Sequence, residues 1–348
     1  MKKYNFLFLL LIFFVISSYT VLSAPTPDNP ITLKVGHCFP AGEYSGHVAC
    51  VKLSEYIEQE TEGAIKIDVY PQSQLGGERT MFEQILLGTI DMGPISVNID
   101  ATVIPELYSF SLPFAFPNED VFWDAINNYG LREKIEDIYW EKGNIKLISL
   151  FSANFRGLQN TKREIRSPED IKGLKMRVME GAIFTDIFQA MGASTATIPM
   201  PELYTALQQG IVDGEDCNIY FANLSKLTEI QKYSTQYNAI LSVNPLIMSG
   251  LTWQKLSPEQ QKLFMDYGRE IEKYTMEMNL KELEIGQNVF VEEMNGNLIK
   301  NSDLTVEERN KFRASVEPVW QKYKTVIGED FYNYFRALTE EVSEAHGF

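Results

Sequence analysis

The sequence predicts an α/β protein folded as two lobes, with a ligand cleft between them and a long helix bridging both. Three observations predict it. Short apolar strands alternate with amphipathic helices between Ile31 and Phe151, and the alternation resumes from about Ser167. No flexible linker separates the two series, so the lobes must share several chain crossings. A polar-rich helical tract opening at Ser257 meets few breakers before Gly286, which is too long for one small domain.

The elements follow in order. Ile31 to Gly36 reads as a strand, and an amphipathic helix runs from about Tyr44 to Glu60, closed by Gly63. Ile65 to Tyr70 alternates as a strand, 71–77 is a loop, and a helix from about Glu78 to Leu87 stops at Gly88. Ile90 to Ile95 is the next strand, giving a mostly parallel sheet covered by helices. Leu112 to Pro117 is too proline-rich for a central strand, and Asn118 can cap the helix that follows, which ends near Gly130. Ile145 to Phe151 is a strand leading into Arg156, where the chain first crosses between lobes.

In the second series Ser167-Pro168 opens a short helix and Leu174 to Val178 is a strand. Phe184 to Met191 is a helix, Thr195 to Ile198 a strand, Glu202 to Gln209 a helix and Ile211 to Asp213 a strand. Tyr233 to Ser242 is the return strand. Ser257 with Gln260 forms a capping box for the long helix, which is expected to kink, if anywhere, near Gly286. Thr305 with Glu308 caps another helix, and Phe331 to Glu344 is the last. The first lobe is therefore expected at 25–153 plus about 243–281, and the second at 154–242 plus about 282–348.

Residues 1–24 read as a cleavable secretory signal peptide. Lys2 and Lys3 precede an unbroken apolar run from Phe6 to Ile16, too short to span a bilayer, and Ser23 or Ala24 supplies a small residue for cleavage. Export into a Gram-negative periplasm is the expectation. Asp and Glu total 47 against 31 Lys and Arg, which argues against nucleic acid and anionic membranes as partners. Any anion site must be a local positive pocket. Cys38, Cys50 and Cys217 are an odd number of thiols. Cys50 falls on a helical stripe with Leu53 and Ile57 and reads as a core thiol, with a Cys38–Cys50 disulfide as the alternative.

Catalytic and cofactor signals are weak. The chain has three histidines and no His-Glu-x-x-His, Gly-x-Ser-x-Gly, P-loop or dinucleotide-binding pattern, so neither a metal nor a cofactor is expected. Two arginines stand out instead. Arg156 and Arg177 sit among apolar residues on strand-like segments, where a guanidinium needs an anion. That anion is either a protein carboxylate, Glu180 or Asp213, or the carboxylate of a ligand on which both arginines converge.

The residues around these arginines resemble the extracytoplasmic solute-binding proteins of TRAP transporters, the C4-dicarboxylate-binding (DctP-like) family. The pieces are Arg-Gly-Leu-Gln-Asn-Thr-Lys-Arg-Glu-Ile (156–165), Ser-Pro-Glu-Asp-Ile-Lys-Gly-Leu-Lys-Met-Arg-Val (167–178), Met-Gly-Ala (191–193) and Glu-Leu-Tyr-Thr-Ala-Leu-Gln-Gln-Gly-Ile-Val-Asp-Gly (202–214). Pro-Gln-Ser-Gln-Leu-Gly-Gly-Glu (71–78) and Gly-Thr-Ile-Asp-Met (88–92) add to them upstream. The resemblance implies a two-lobed periplasmic solute-binding fold that closes on a small organic carboxylate and delivers it to integral membrane subunits, working as a monomer.

By the same resemblance, Arg177 is the main carboxylate-binding residue and Arg156 a second arginine on the same ligand. Ser96, Met200 and Cys38 are implied as pocket-lining positions, Ser96 standing where sialic-acid binders carry an acid. Cys217 stands where the family commonly has an asparagine that bonds the ligand, and no histidine occurs near Tyr237-Asn238-Ala239, where many relatives carry one. Both departures bear on which carboxylate is bound. A sensor presenting ligand to a receptor, or an exported enzyme using Cys38 or Cys217, are the rival readings.

Overall fold

The computed structural model describes residues 24–348. All but the last residue of the expected signal peptide lies outside the described residues.

Eleven strands form two sheets among the described residues: β1 (Ile31–Gly36), β2 (Ile65–Tyr70), β3 (Met92–Pro94), β4 (Ile145–Phe155), β5 (Gly157–Asn160), β6 (Lys175–Val178), β7 (Ser194–Thr197), β8 (Gly214–Cys217), β9 (Tyr233–Thr235), β10 (Leu241–Ser249) and β11 (Asn297–Ile299). The five-stranded sheet has the order β2-β1-β3-β10-β4, and the six-stranded sheet β11-β9-β5-β8-β6-β7. Both are mixed rather than mostly parallel. β1 runs parallel to β2 and β3, but β10 is antiparallel to β3 and β4. β6 runs parallel to β7 and β8, with β5 antiparallel to β8 and β9.

Alternation places Leu33 and Val35 of β1 in the core, under a helix (Ser45–Glu60) that buries Ala49, Cys50, Leu53 and Ile57 on one stripe. Two further expectations need correction. The expected strand at Ile211–Asp213 begins only at Gly214, because Ile211 is largely exposed and Asp213 accepts from Lys175 N and pairs with Lys162. The expected return strand splits, β9 joining the second sheet and β10 the first. The long helix, Pro258–Asn288, is unbroken at Gly286, whose missing side chain lets it sit against the Tyr220 backbone; a single π-turn follows at Val289–Glu293.

That helix starts at the expected capping box, Ser257 Oγ accepting from Gln260 N at 3.2 Å and Gln260 Oε1 from Ser257 N at 3.0 Å. At about 1.5 Å per residue its 31 residues span roughly 46 Å. Gly268 lets it close on β4, since a Cβ there would lie 2.4 Å from Ile148 O. Its buried Glu272 pairs with Arg132 at 2.7 Å and accepts from Leu150 N.

The tail expected in the second lobe serves both. β11 completes the second sheet, and the helix Val306–Ile327 touches Asp186 through Lys322 and Tyr323. The last helix, Glu329–Ala345, instead packs Phe335 between Phe110 and Phe116 of the first lobe.

The two strand crossings lie side by side, tied by Arg156 N donating to Ile240 O at 2.8 Å. Each carries an asparagine in the left-handed region, Asn154 (φ 56°) and Asn238 (φ 53°), a conformation asparagine tolerates better than other side-chain-bearing residues. Gly268→Val should push the long helix off β4 and lower stability by about 1–3 kcal/mol, measured by urea denaturation.

Candidate ligand-binding site between the lobes

A cavity of about 50 Å³ lies between the sheets, walled on the first-lobe side by Cys38, Phe39, Tyr44, Glu78, Ser96 and Asn244. On the other side stand Arg177, Met179, Met200, Cys217, Asn218 and Phe221, with Arg156 and Ser242 at the crossings. The six residues singled out from the sequence, Arg177, Arg156, Cys217, Ser96, Met200 and Cys38, all line it. Larger concavities, of about 360 Å³ and about 460 Å³, lie between the C-terminal helices and beside Asn154 and Asn238, but neither holds the two buried guanidiniums.

The lobes touch around this cavity. Asn98 Nδ2 donates to Glu180 O at 2.6 Å, and Tyr44 stacks on Tyr220 at 6.1 Å. Ser45, beginning the first helix, donates through its backbone N–H and hydroxyl to the carboxylate of Glu282 on the long helix. Burial pushes the Glu282 carboxyl up to about 7, against the pull of the Ser45 bonds.

The two arginines are handled differently. Arg156 Nε donates to Asp216 Oδ2 at 2.6 Å, its terminal nitrogen reaches Asp216 O, and its guanidinium lies 5.1 Å from the Phe184 ring centre. Its protein anion is therefore Asp216, on the neighbouring strand, and not Glu180 or Asp213. Arg177, 4% exposed, donates through Nε to Ile198 O at 2.8 Å. Among the described residues it forms no ion pair, and Asp213 pairs with Lys162 at 3.3 Å instead. One guanidinium carries its own counter-ion, and the other presents its charge to the cavity.

Facing Arg177 is a polar corner made by Ser96 together with Glu78 and Asn244. Glu78, in the first turn of the helix Glu78–Leu86, accepts at Oε1 from Ser96 N (3.0 Å) and Ser96 Oγ (2.8 Å), and Asn244 Oδ1 lies 3.1 Å from the same hydroxyl. An acid thus occupies this corner, supplied by Glu78 instead of position 96. Burial raises the Glu78 carboxyl, opposed by the Ser96 bonds and by Arg177. Glu78 closes the motif 71–78, and its place just after two glycines, opening a helix beside the cavity, was the available signal.

All three cysteines are free thiols, so Cys38 and Cys50 are not bridged, and Cys50 is a core residue. Burial and neighbouring carboxylates push the Cys38 and Cys217 thiols up, Glu78 acting on the first and Glu215 on the second. Thiols held neutral are weak nucleophiles. Cys217 Sγ lies 3.4 Å from Glu215 Oε1 and 3.4 Å from Asn218 O, so its one proton is already taken up within the protein. Among the described residues no group of three His, Cys, Asp or Glu side chains is placed to hold a metal, and no helix is long and apolar enough to cross a membrane.

Residues 35–325 match the model of the bacterial extracellular solute-binding proteins, family 7 (DctP). The chain belongs to this family. Among family relatives, a solute-binding protein of Roseobacter denitrificans is 30% identical over 254 residues, 73% of this chain and 77% of that one. The sialic acid-binding periplasmic protein SiaP of Vibrio cholerae is 25% identical over 327 residues, covering 93% and 98%. The sugar acid binding protein DctPAm of Advenella mimigardefordensis, solved with galactonate, shares the fold at a TM-score of 0.84 with 23% identity, over 90% of this chain and 99% of that one.

Asp216→Ala should leave Arg156 buried without its anion. It should cost about 3–5 kcal/mol of stability in urea denaturation, well beyond a surface carboxylate change.

Proposed function

We propose that this chain is the substrate-binding subunit of a TRAP transporter, capturing a small hydroxylated monocarboxylate in the periplasm and delivering it to the membrane subunits. The observation that carries this is Arg177, a buried guanidinium facing the interlobe cavity with no carboxylate of the described residues at ion-pair distance. A ligand carboxylate supplies the missing charge through two parallel hydrogen bonds. Arg156, Met200, Cys217, Cys38 and Ser96 wall the rest of the ligand. Lobe closure excludes water and strengthens the central pair, so the ligand itself becomes a bridge that favours the closed form.

The opposite corner narrows the ligand class. Glu78, braced by Ser96, accepts hydrogen bonds from hydroxyl groups and opposes a second carboxylate by like charge. This favours a hydroxy acid over a dicarboxylate. Family membership supports the reading, and so do the relatives' ligands: the Roseobacter denitrificans protein is solved with bound L-galactonate. Capture needs no bond-breaking, and none of the cavity groups is set up as a nucleophile.

Calorimetry with a panel of carboxylates tests both parts. Arg177→Lys keeps the charge but loses the fork, and should weaken binding about 10- to 100-fold while circular dichroism stays unchanged. Undiminished affinity in that variant would sink the role of Arg177. Wild type should prefer D-galactonate to succinate, and Glu78→Gln should narrow that preference; a wild type that binds succinate better would remove the case for a hydroxy acid.

A further inference from the structure

One buried carboxylate beside the cavity has no place in this scheme. Glu215 is fully buried on β8, its Oε2 has no hydrogen-bond partner, and its Oε1 receives only the Cys217 thiol at 3.4 Å. Strand register puts it next to Arg177. Met176 of β6 lies opposite Gly214 of β8 in a parallel pair, so the following residues, Arg177 and Glu215, are neighbours on the same sheet face. On its other side β5 places Gln159, which is neutral and spent on Cys217 and Ser234. The charged groups acting on Glu215 are Asp216 of its own strand, Arg177 of β6 and Arg156 of the crossing.

We propose that Glu215 is a proton-linked partner of Arg177, so that a ligand carboxylate arriving at Arg177 drives Glu215 to take up a proton from solvent. The proposal rests on the reading that Arg177 binds the ligand carboxylate. An unliganded Arg177 favours the ionised Glu215 beside it. Once the ligand neutralises that guanidinium, and brings a second negative charge close by, the ionised form loses its support. Burial first, and Asp216 next, already push the Glu215 carboxyl up to about 7, so the exchange falls in the physiological range. Position 217 takes part, because the Cys217 thiol touches both the cavity and Glu215.

D-galactonate and D-glucuronate serve as probes, titrated calorimetrically from pH 6 to 9 in phosphate and in Tris. Uptake of up to one proton per ligand should appear as a difference in binding heat between the buffers near pH 8 and vanish near pH 6. Affinity should fall with pH above about 7, by at most about tenfold per unit. Glu215→Gln should lose the buffer difference and keep its low-pH affinity to pH 9, whereas Glu78→Gln should retain the uptake. Flat wild-type affinity, or undiminished uptake in Glu215→Gln, would overturn the proposal while leaving Arg177 as the carboxylate site.

If neither sugar acid binds, the ligand class fails but the coupling is still read in the free protein. The carbon-13 carboxyl titration of Glu215 should move to higher pH in Arg177→Gln, with folding checked by circular dichroism. An unmoved midpoint would refute the pairing.

Discussion

A guanidinium cannot give up its proton, so each arginine buried between the lobes must be matched by negative charge. Arg156 and Arg177 show the two ways of doing so. Arg156 is locked to Asp216 across neighbouring strands and supported by the Phe184 ring. It is as much a structural pin at the crossing as a wall of the cavity. Arg177 is held in place through Nε alone, by Ile198 O, which fixes its plane and leaves its terminal nitrogens for something else. The architecture follows from that division. One lobe supplies an oriented positive charge, the other a corner of acceptors, and closure brings the two together.

That division also bears on selectivity. The cavity is not uniformly positive: Glu78 on one side and Glu215 behind the other keep local charge near balance around Arg177. A site of this kind discriminates by placement of donors and acceptors more than by net attraction, which suits an acidic protein. The neutral thiols of Cys38 and Cys217 belong to the same economy of charge, each resting beside one of these carboxylates.

Much of this was legible in the sequence, for physical reasons that differ by residue. Arg177 announced itself because a guanidinium between the apolar Met176 and Val178 of a strand needs an anion, and no acid stands beside it in the sequence. The capping boxes at Ser257 and Thr305 are local chemistry and appear where expected. Asp216 as the partner of Arg156 was not legible, since that pairing depends on Leu158 lying opposite Asp216 in an antiparallel register that no local pattern encodes. Glu78 was hidden for the same reason: its bonds run to Ser96, across a helix-to-strand packing. The seat of the last helix was not legible either, since it follows a purely tertiary demand, the aromatic pocket formed by Phe110 and Phe116.

β10 is the strand that joins β3 to β4, and it reaches them only after five of the six strands of the second sheet have been threaded: Leu246 pairs with Pro94, and β11 joins β9 later still. Neither sheet can be completed by a partial chain. Contacts so distant along the sequence make folding slow, because long loops must be closed before their strands return any stabilisation. For a member of an extracellular solute-binding protein family, lateness is an advantage. A polypeptide that stays unstructured through most of its synthesis can be passed through a membrane first and assume its shape on the far side.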